Sequence, residues 1–189
     1  DVTWSPLVDP VFLVGSASDD RAGSTDSFFT SGGPGIIEGT IKSDVLIGDP
    51  GGSTLRAGST ANVVLVLDVS GSMSDQISFG GSSVSRLAAL KQSVNSTLDS
   101  LYNSGASDVR VHIDIFSTGA SPVGTYVLTA GGVDSPSQLA AAKAAVNALS
   151  AEGWTNYEAG LQSALNWINS TGTSAPLANA DVNRVLFVS

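Results

Sequence analysis

Within 189 residues, 17 acidic side chains outnumber 8 basic ones, and the formal charge of −9 at pH 7 argues against nucleic acid as a partner and in favour of cations. The absence of cysteine excludes a disulfide framework, a thiol nucleophile and a thiolate metal site. An apolar content of 42% suffices for a core, while the apolar runs fall well short of the ~18 residues of a membrane span, so no membrane insertion is expected.

Residues 1–60 are rich in Gly, Ser, Asp and Pro, with short apolar clusters at Pro10 to Val14, Phe28-Phe29, Ile36-Ile37 and Val45 to Ile47. Such spacing predicts short strands and loops, a small β/loop-rich segment set apart from the remainder of the chain. From Asn62 the pattern changes. Five consecutive aliphatics, Val63 to Leu67, lack the alternation of a half-exposed strand and suit a central parallel strand covered on both faces. This strand empties into Asp68-Val-Ser-Gly-Ser72, which offers oxygen at alternate positions. One carboxylate and two hydroxyls form a hard set suited to magnesium or calcium, with manganese as a third candidate. A Gly/Ser turn that caps a helix is the alternative use of these residues.

Leu87, Leu90, Val94, Leu98 and Leu101 recur at helical steps, predicting an amphipathic helix from Ser85 to Ser104 that Gly105 ends. Val109 to Phe116 alternates cleanly, with Arg110, His112 and Asp114 on the face opposite Val109, Val111 and Ile113. The alternation predicts a strand nearer a sheet edge than Val63–Leu67. The link to Thr125–Thr129 is too short for a parallel crossover and predicts an antiparallel hairpin. Helices are expected at Ser137–Ser150, after Pro136, and at Tyr157–Asn169, the latter with Leu161, Ala164, Leu165 and Ile168 inward. Val185 to Val188 reads as a second buried parallel strand. The order β, α, β-hairpin, α, α, β gives an α/β class with a doubly wound, Rossmann-like, mostly parallel sheet and helices on both faces.

The loop Asp68-Val-Ser-Gly-Ser72, joined about 80 residues later by Gly153-Trp-Thr-Asn-Tyr-Glu-Ala-Gly160, resembles the two leading metal-binding loops of the von Willebrand factor A domain. The resemblance covers residues 61–189. It implies a metal-ion-dependent adhesion site in which Asp68, Ser70, Ser72 and Thr155 ligate a divalent cation, and a protein or peptide partner supplies a carboxylate. Taken alone, Thr155 reads equally as the cap of the helix starting near Tyr157. The third loop of that family begins with an Asp just after the fourth strand. The sequence given stops at Ser189, so the fold looks truncated after its fourth strand and a continuation, in the same or another chain, is expected to complete it.

Residues 39–55 resemble a degenerate calcium repeat of the RTX type, with Ser53 where the repeat carries its ligand Asp. Together the two resemblances imply a bacterial surface adhesin, extracellular and non-enzymatic. A surface-fibre scaffold whose cation only stabilises the fold is the other reading. A phosphoryl-transfer or hydrolytic site is disfavoured: the loop has no second acidic position, Gly-x-Ser-x-Gly is absent, and the single histidine, His112, lies mid-strand. Asp75 and Glu158 read as solvated carboxylates. Trp154 reads either as a ligand contact or as packing beneath its loop, and Trp167 as helix–sheet packing.

Overall fold

A computed structural model describes residues 55–79 and 81–189, together with the strand segments 12–14, 29–30, 33–34 and 45–47. The chain divides into two compact units, residues 1–54 and 55–189. In the first unit, β1 (Phe12–Val14) pairs in parallel with β4 (Val45–Ile47), and β2 (Phe29–Thr30) pairs antiparallel with β3 (Gly33–Pro34). Apart from Val45–Ile47 and the buried Leu55, the calcium-repeat-like stretch lies outside the described residues, Ser53 included.

The second unit is built on β5 (Thr60–Asp68), β8 (Asp108–Phe116), β9 (Ala120–Ala130), β10 (Val133–Asp134) and β11 (Val182–Val188). Their order across the sheet is β10-β9-β8-β5-β11. The pairs β8/β5 and β5/β11 are parallel, and β8/β9 is the antiparallel hairpin that the short link predicts. Between β5 and the first long helix lies a small hairpin that the sequence pattern did not announce, β6 (Gln76–Phe79) against β7 (Ser82–Ser85).

Side-chain alternation along β5 sorts the core into two halves. Leu65 and Leu67 pack with Val111 and Ile113 against α1 (Arg86–Tyr102) and α2 (Pro136–Asn147), through Leu90, Leu98 and Val146. Val64 and Val66 turn to the other face, where Phe116, Ala164 and Trp167 form a second cluster under α3 (Tyr157–Ile168). Each aliphatic of β5 is removed from water, at about 1.5–3 kcal/mol per side chain. The helix starts are locally encoded: the Ser85 hydroxyl accepts from Ala88 N at 3.1 Å and Asn156 Oδ1 from Ala159 N at 3.1 Å.

Besides β11, which the sequence reads as a buried strand but which is an edge strand among the described ones with Val185 45% exposed, two expectations need correction. β8 is not nearer an edge than β5; among the described strands it sits in the middle, and β5 lies next to the edge strand β11. Its polar face is covered rather than wet. Asp114 is fully buried and accepts from the Ser163 hydroxyl of α3 at 2.7 Å. His112 meets Thr125 Oγ1 through Nδ1 at 2.7 Å, lies 3.4 Å from Asp114 through Nε2, and stacks on Trp167 with ring centroids 4.7 Å apart. Alternating polarity here marks a buried polar layer under a helix, partly satisfied by that helix and the neighbouring strand, with Asp114 Oδ2 left without a hydrogen-bond partner.

The second correction concerns the inward face of α3, which is Gly160, Ala164 and Trp167, while Leu161, Leu165 and Ile168 are about half exposed. The helix is rotated because Trp167 must reach His112, and because Gly160 rides directly over Phe116. A Cβ at position 160 would stand 2.9 Å from Phe116 Cδ1.

Before β11, the chain is tied back to the start of β5. Asn62 exchanges hydrogen bonds with Leu177 and donates to Asn183, and the Asp181 carboxylate accepts from the Thr60 N–H at 2.8 Å and the Thr60 hydroxyl at 3.0 Å. These bonds favour the ionised form and hold the Asp181 carboxyl below its ordinary range. The tie is therefore present at neutral pH and fades as acid protonates that group.

Gly160→Val should lower unfolding free energy by about 1–3 kcal/mol, the usual cost of overpacking. Gly119→Ala, where a Cβ meets open space, should leave the urea midpoint unchanged.

Candidate metal centre

The candidate ligands collect beyond the carboxyl ends of β5 and β11. Open α/β sheets bind ligands outside the carboxyl ends of their strands, the end at which these residues stand.

Alternation and register set the donors. Leu67 pairs with Val188, and both face the α1/α2 side. The next residues, Asp68 and Ser189, therefore both turn toward the α3 side and meet: the Ser189 hydroxyl donates to Asp68 Oδ2 at 2.6 Å. Asp68 Oδ1 accepts from the Ser70 N–H at 2.7 Å. Each carboxylate oxygen thus has one fixed partner and keeps a lone pair, so the group, only 2% exposed, is oriented before any cation arrives.

Beyond Asp68 the chain turns through a 3₁₀ segment, Gly71–Ser74. Ser70 occupies the capping position but makes no capping bond with its side chain. Its Oγ instead lies 3.2 Å from Ser72 Oγ. Ser70 is fully buried and Ser72 is exposed, so the pair spans from the interior to the surface. The Ser70 hydroxyl thus does not cap the 3₁₀ segment, while the Asp68 carboxylate that accepts from the Ser70 N–H makes the turn that the alternative reading expects.

The second loop is docked on the first. Gly71 N donates to Gly153 O at 3.0 Å and Glu152 N to Val69 O at 2.7 Å. Gly71 fits closely here, since a Cβ would stand 3.2 Å from Gly153 O. From the other side, Trp154 N donates to Thr118 Oγ1 at 3.0 Å and Asn156 N to Ser117 O at 2.7 Å. Gly153 has φ of +78°, and a Cβ there would stand 2.8 Å from Thr118 Oγ1. Further back, the Lys91 ammonium donates to the carbonyls of Asn147 (2.9 Å) and Leu149 (2.7 Å), holding the end of α2 from which this loop departs.

Thr155 lies exposed in this docked loop, two residues past Gly153. It is not the cap of α3, because the Asn156 side chain takes that role. Asp68, Ser70 and Ser72 are thus brought together by hydrogen bonds, and Thr155 is carried to the same end of the sheet on a backbone clamped to Gly71. Asp75 and Glu158 are exposed. Among the described residues no three His, Cys, Asp or Glu side chains gather as a metal cluster, so Asp68 with hydroxyls is the donor set to be tested.

Ser189 is the residue that sequence reading missed as a site component. Its signal was the register of two aliphatic runs, which places it level with Asp68. An aromatic trio supports this corner: Phe116, Tyr157 and Phe187 pack with centroid separations of 4.8–5.7 Å, and Tyr157 OH lies 3.4 Å from Ser189 Oγ.

Residues 63–189 match the family profile described as von Willebrand factor type A domain. Among solved structures, the chain is similar to the PilB minor pilin from Streptococcus sanguinis, at 18% identity and a TM-score of 0.50 over 70% of this chain and 30% of that one. It is also similar to an uncharacterized membrane spanning protein from Vibrio fischeri (23% identity, TM-score 0.42, 57% of this chain and 48% of that one). A third is a von Willebrand factor type A protein from Catenulispora acidiphila (21%, 0.42, 60% and 27%). The chain spans less than half the length of each of these structures. At such identity the pilin likeness shows a shared fold. No curated protein matches the chain.

Gly153→Ala should cost about 1–2 kcal/mol in thermal unfolding, because an L-residue is strained in the left-handed region. It should also weaken magnesium binding in calorimetry by displacing the loop that carries Thr155.

Proposed function

The chain belongs to the von Willebrand factor type A family, and from that premise we propose that it is a metal-dependent ligand-binding module of a bacterial surface adhesin. The observation that carries this reading is the convergence of Asp68, Ser70, Ser72 and Ser189, with Ser189 Oγ 2.6 Å from one carboxylate oxygen and the Ser70 N–H 2.7 Å from the other.

The residues present fit a hard divalent cation. All donors are oxygen, and the one carboxylate is pre-oriented from both sides. Asp68, Ser70, Ser72 and Thr155 would hold magnesium or calcium, with Ser189 fixing the Asp68 rotamer. A bound dication supplies positive charge and a coordination position open to a carboxylate oxygen. Among the described residues Asp68 alone brings negative charge to the ion, and a carboxylate oxygen in the open position would add to it.

Binding rather than turnover is supported by the surroundings of the site. His112 lies under α3, engaged by Thr125, Asp114 and Trp167, and is not placed beside a hydroxyl of the metal loop. The extracellular RTX-type setting rests on the cysteine-free acidic composition and on residues 39–55. No helix of the described residues is long and apolar enough to cross a membrane.

Thermal unfolding of the whole chain with and without magnesium or calcium tests the reading. At a hundredfold excess over Kd the cation should stabilise by about 2.7 kcal/mol. Asp68→Ala should abolish that gain, and Ser189→Ala should weaken metal affinity about 10–100-fold. A cation that leaves wild-type unfolding unchanged would sink the proposal. Stabilisation that no added carboxylate alters would favour the fibre-scaffold reading.

A further inference from the structure

Thr155 is the candidate ligand that the second loop contributes, yet neither its hydroxyl nor its N–H forms a hydrogen bond among the described residues. Packing of its large neighbour does not hold it either, because Trp154 is 82% exposed and does not sit beneath the loop. The place of Thr155 therefore comes from the backbone on either side of it.

That backbone is fastened to the short link between β8 and β9. Trp154 N donates to Thr118 Oγ1 at 3.0 Å, Asn156 N donates to Ser117 O at 2.7 Å, and Asn156 Nδ2 donates to Thr118 O at 3.3 Å. One bond precedes Thr155 and two follow it, so the residue is spanned. The link is itself fixed, since it leaves the strand end where Phe116 stands level with Asp68. Phe116 O accepts from Val69 N at 2.9 Å, and Ser117 N donates to Gly119 O at 2.7 Å. Thr155 is thus placed, through this link, relative to the strand that carries Asp68.

Two of the three acceptors are backbone carbonyls, which any residue would supply. The Thr118 hydroxyl alone depends on the side chain. It also lies close on the left-handed turn at Gly153, where a Cβ would stand 2.8 Å from Thr118 Oγ1. We propose that Thr118 is a positioning residue of the candidate metal centre: its hydroxyl sets where Thr155 stands relative to Asp68, so affinity for the cation depends on a side chain outside the ligand set. The inference rests on the metal-dependent reading above and adds the β8–β9 link to that site as a supporting segment. A purely structural role would lower stability and leave the metal affinity of the folded protein intact.

The test measures manganese affinity of the whole chain, well below its unfolding temperature, in the wild type and in variants. Thr118→Val, which keeps the shape and removes the acceptor, should weaken binding about tenfold, the low end of the range for groups that orient a ligand. Thr118→Ala carries the same expectation, and Thr118→Ser, which retains the hydroxyl, should bind as the wild type does. On a Thr155→Ala background, Thr118→Val should have no further effect, because the two residues act as one unit. Thr118 is exposed, so each variant should keep a cooperative unfolding transition in the absence of metal. Wild-type affinity in both Thr118→Val and Thr118→Ala, or an equal loss with and without Thr155, overturns the proposal and leaves the metal-dependent reading standing. Failure of the wild type to bind manganese overturns both.

Discussion

Parallel pairing of β8, β5 and β11 is the constraint on which the rest of the second unit depends. β5 is buried on both faces, so its backbone groups must be satisfied by neighbouring strands, and the ladder that satisfies them also fixes their register. With Asp68 opposite Phe116 and Leu67 opposite Val188, the three strand ends stand level. A slip of one residue would turn Asp68 into the aliphatic cluster under α1 and α2 and carry Ser189 away from it. Register thus links core packing to the placement of oxygen donors.

The two loops above these strand ends are rigid for reasons independent of any ligand. Gly71 and Gly153 allow the first loop to accept the second at backbone distance, and Thr118 closes on Gly153 from outside. Lys91 secures the loop where it leaves α2. Such pre-organisation lowers the cost of assembling donors around an ion, because the carboxylate rotamer and the loop backbone are already set.

Much of this was legible in the sequence where a single physical signal dominated. The aliphatic run Val63 to Leu67 announced a strand covered on both sides, and helix α1 was readable from Leu87, Leu90, Val94, Leu98 and Leu101. The von Willebrand family could be recognised from two loops in order. The rotation of α3 could not be read, because Leu161, Leu165 and Ile168 satisfy helical periodicity as well as Gly160, Ala164 and Trp167 do. The tie is broken by a stack between Trp167 and His112 and by the space Phe116 demands, both of them contacts between elements. The polar face of β8 was misread for a related reason: alternation reports polarity, and it does not distinguish water from a helix bearing Ser163. Ser189 was hidden until register placed it against Asp68.

The central claim is that oxygens from separate segments at one end of the sheet, the Asp68 carboxylate among them, hold a hard dication. Anomalous diffraction from crystals grown in manganese tests it most directly. The account predicts one strong peak beside Asp68, ringed by the hydroxyls of Ser70, Ser72 and Thr155. Manganese bound elsewhere, with those hydroxyls turned away from one another, would contradict it.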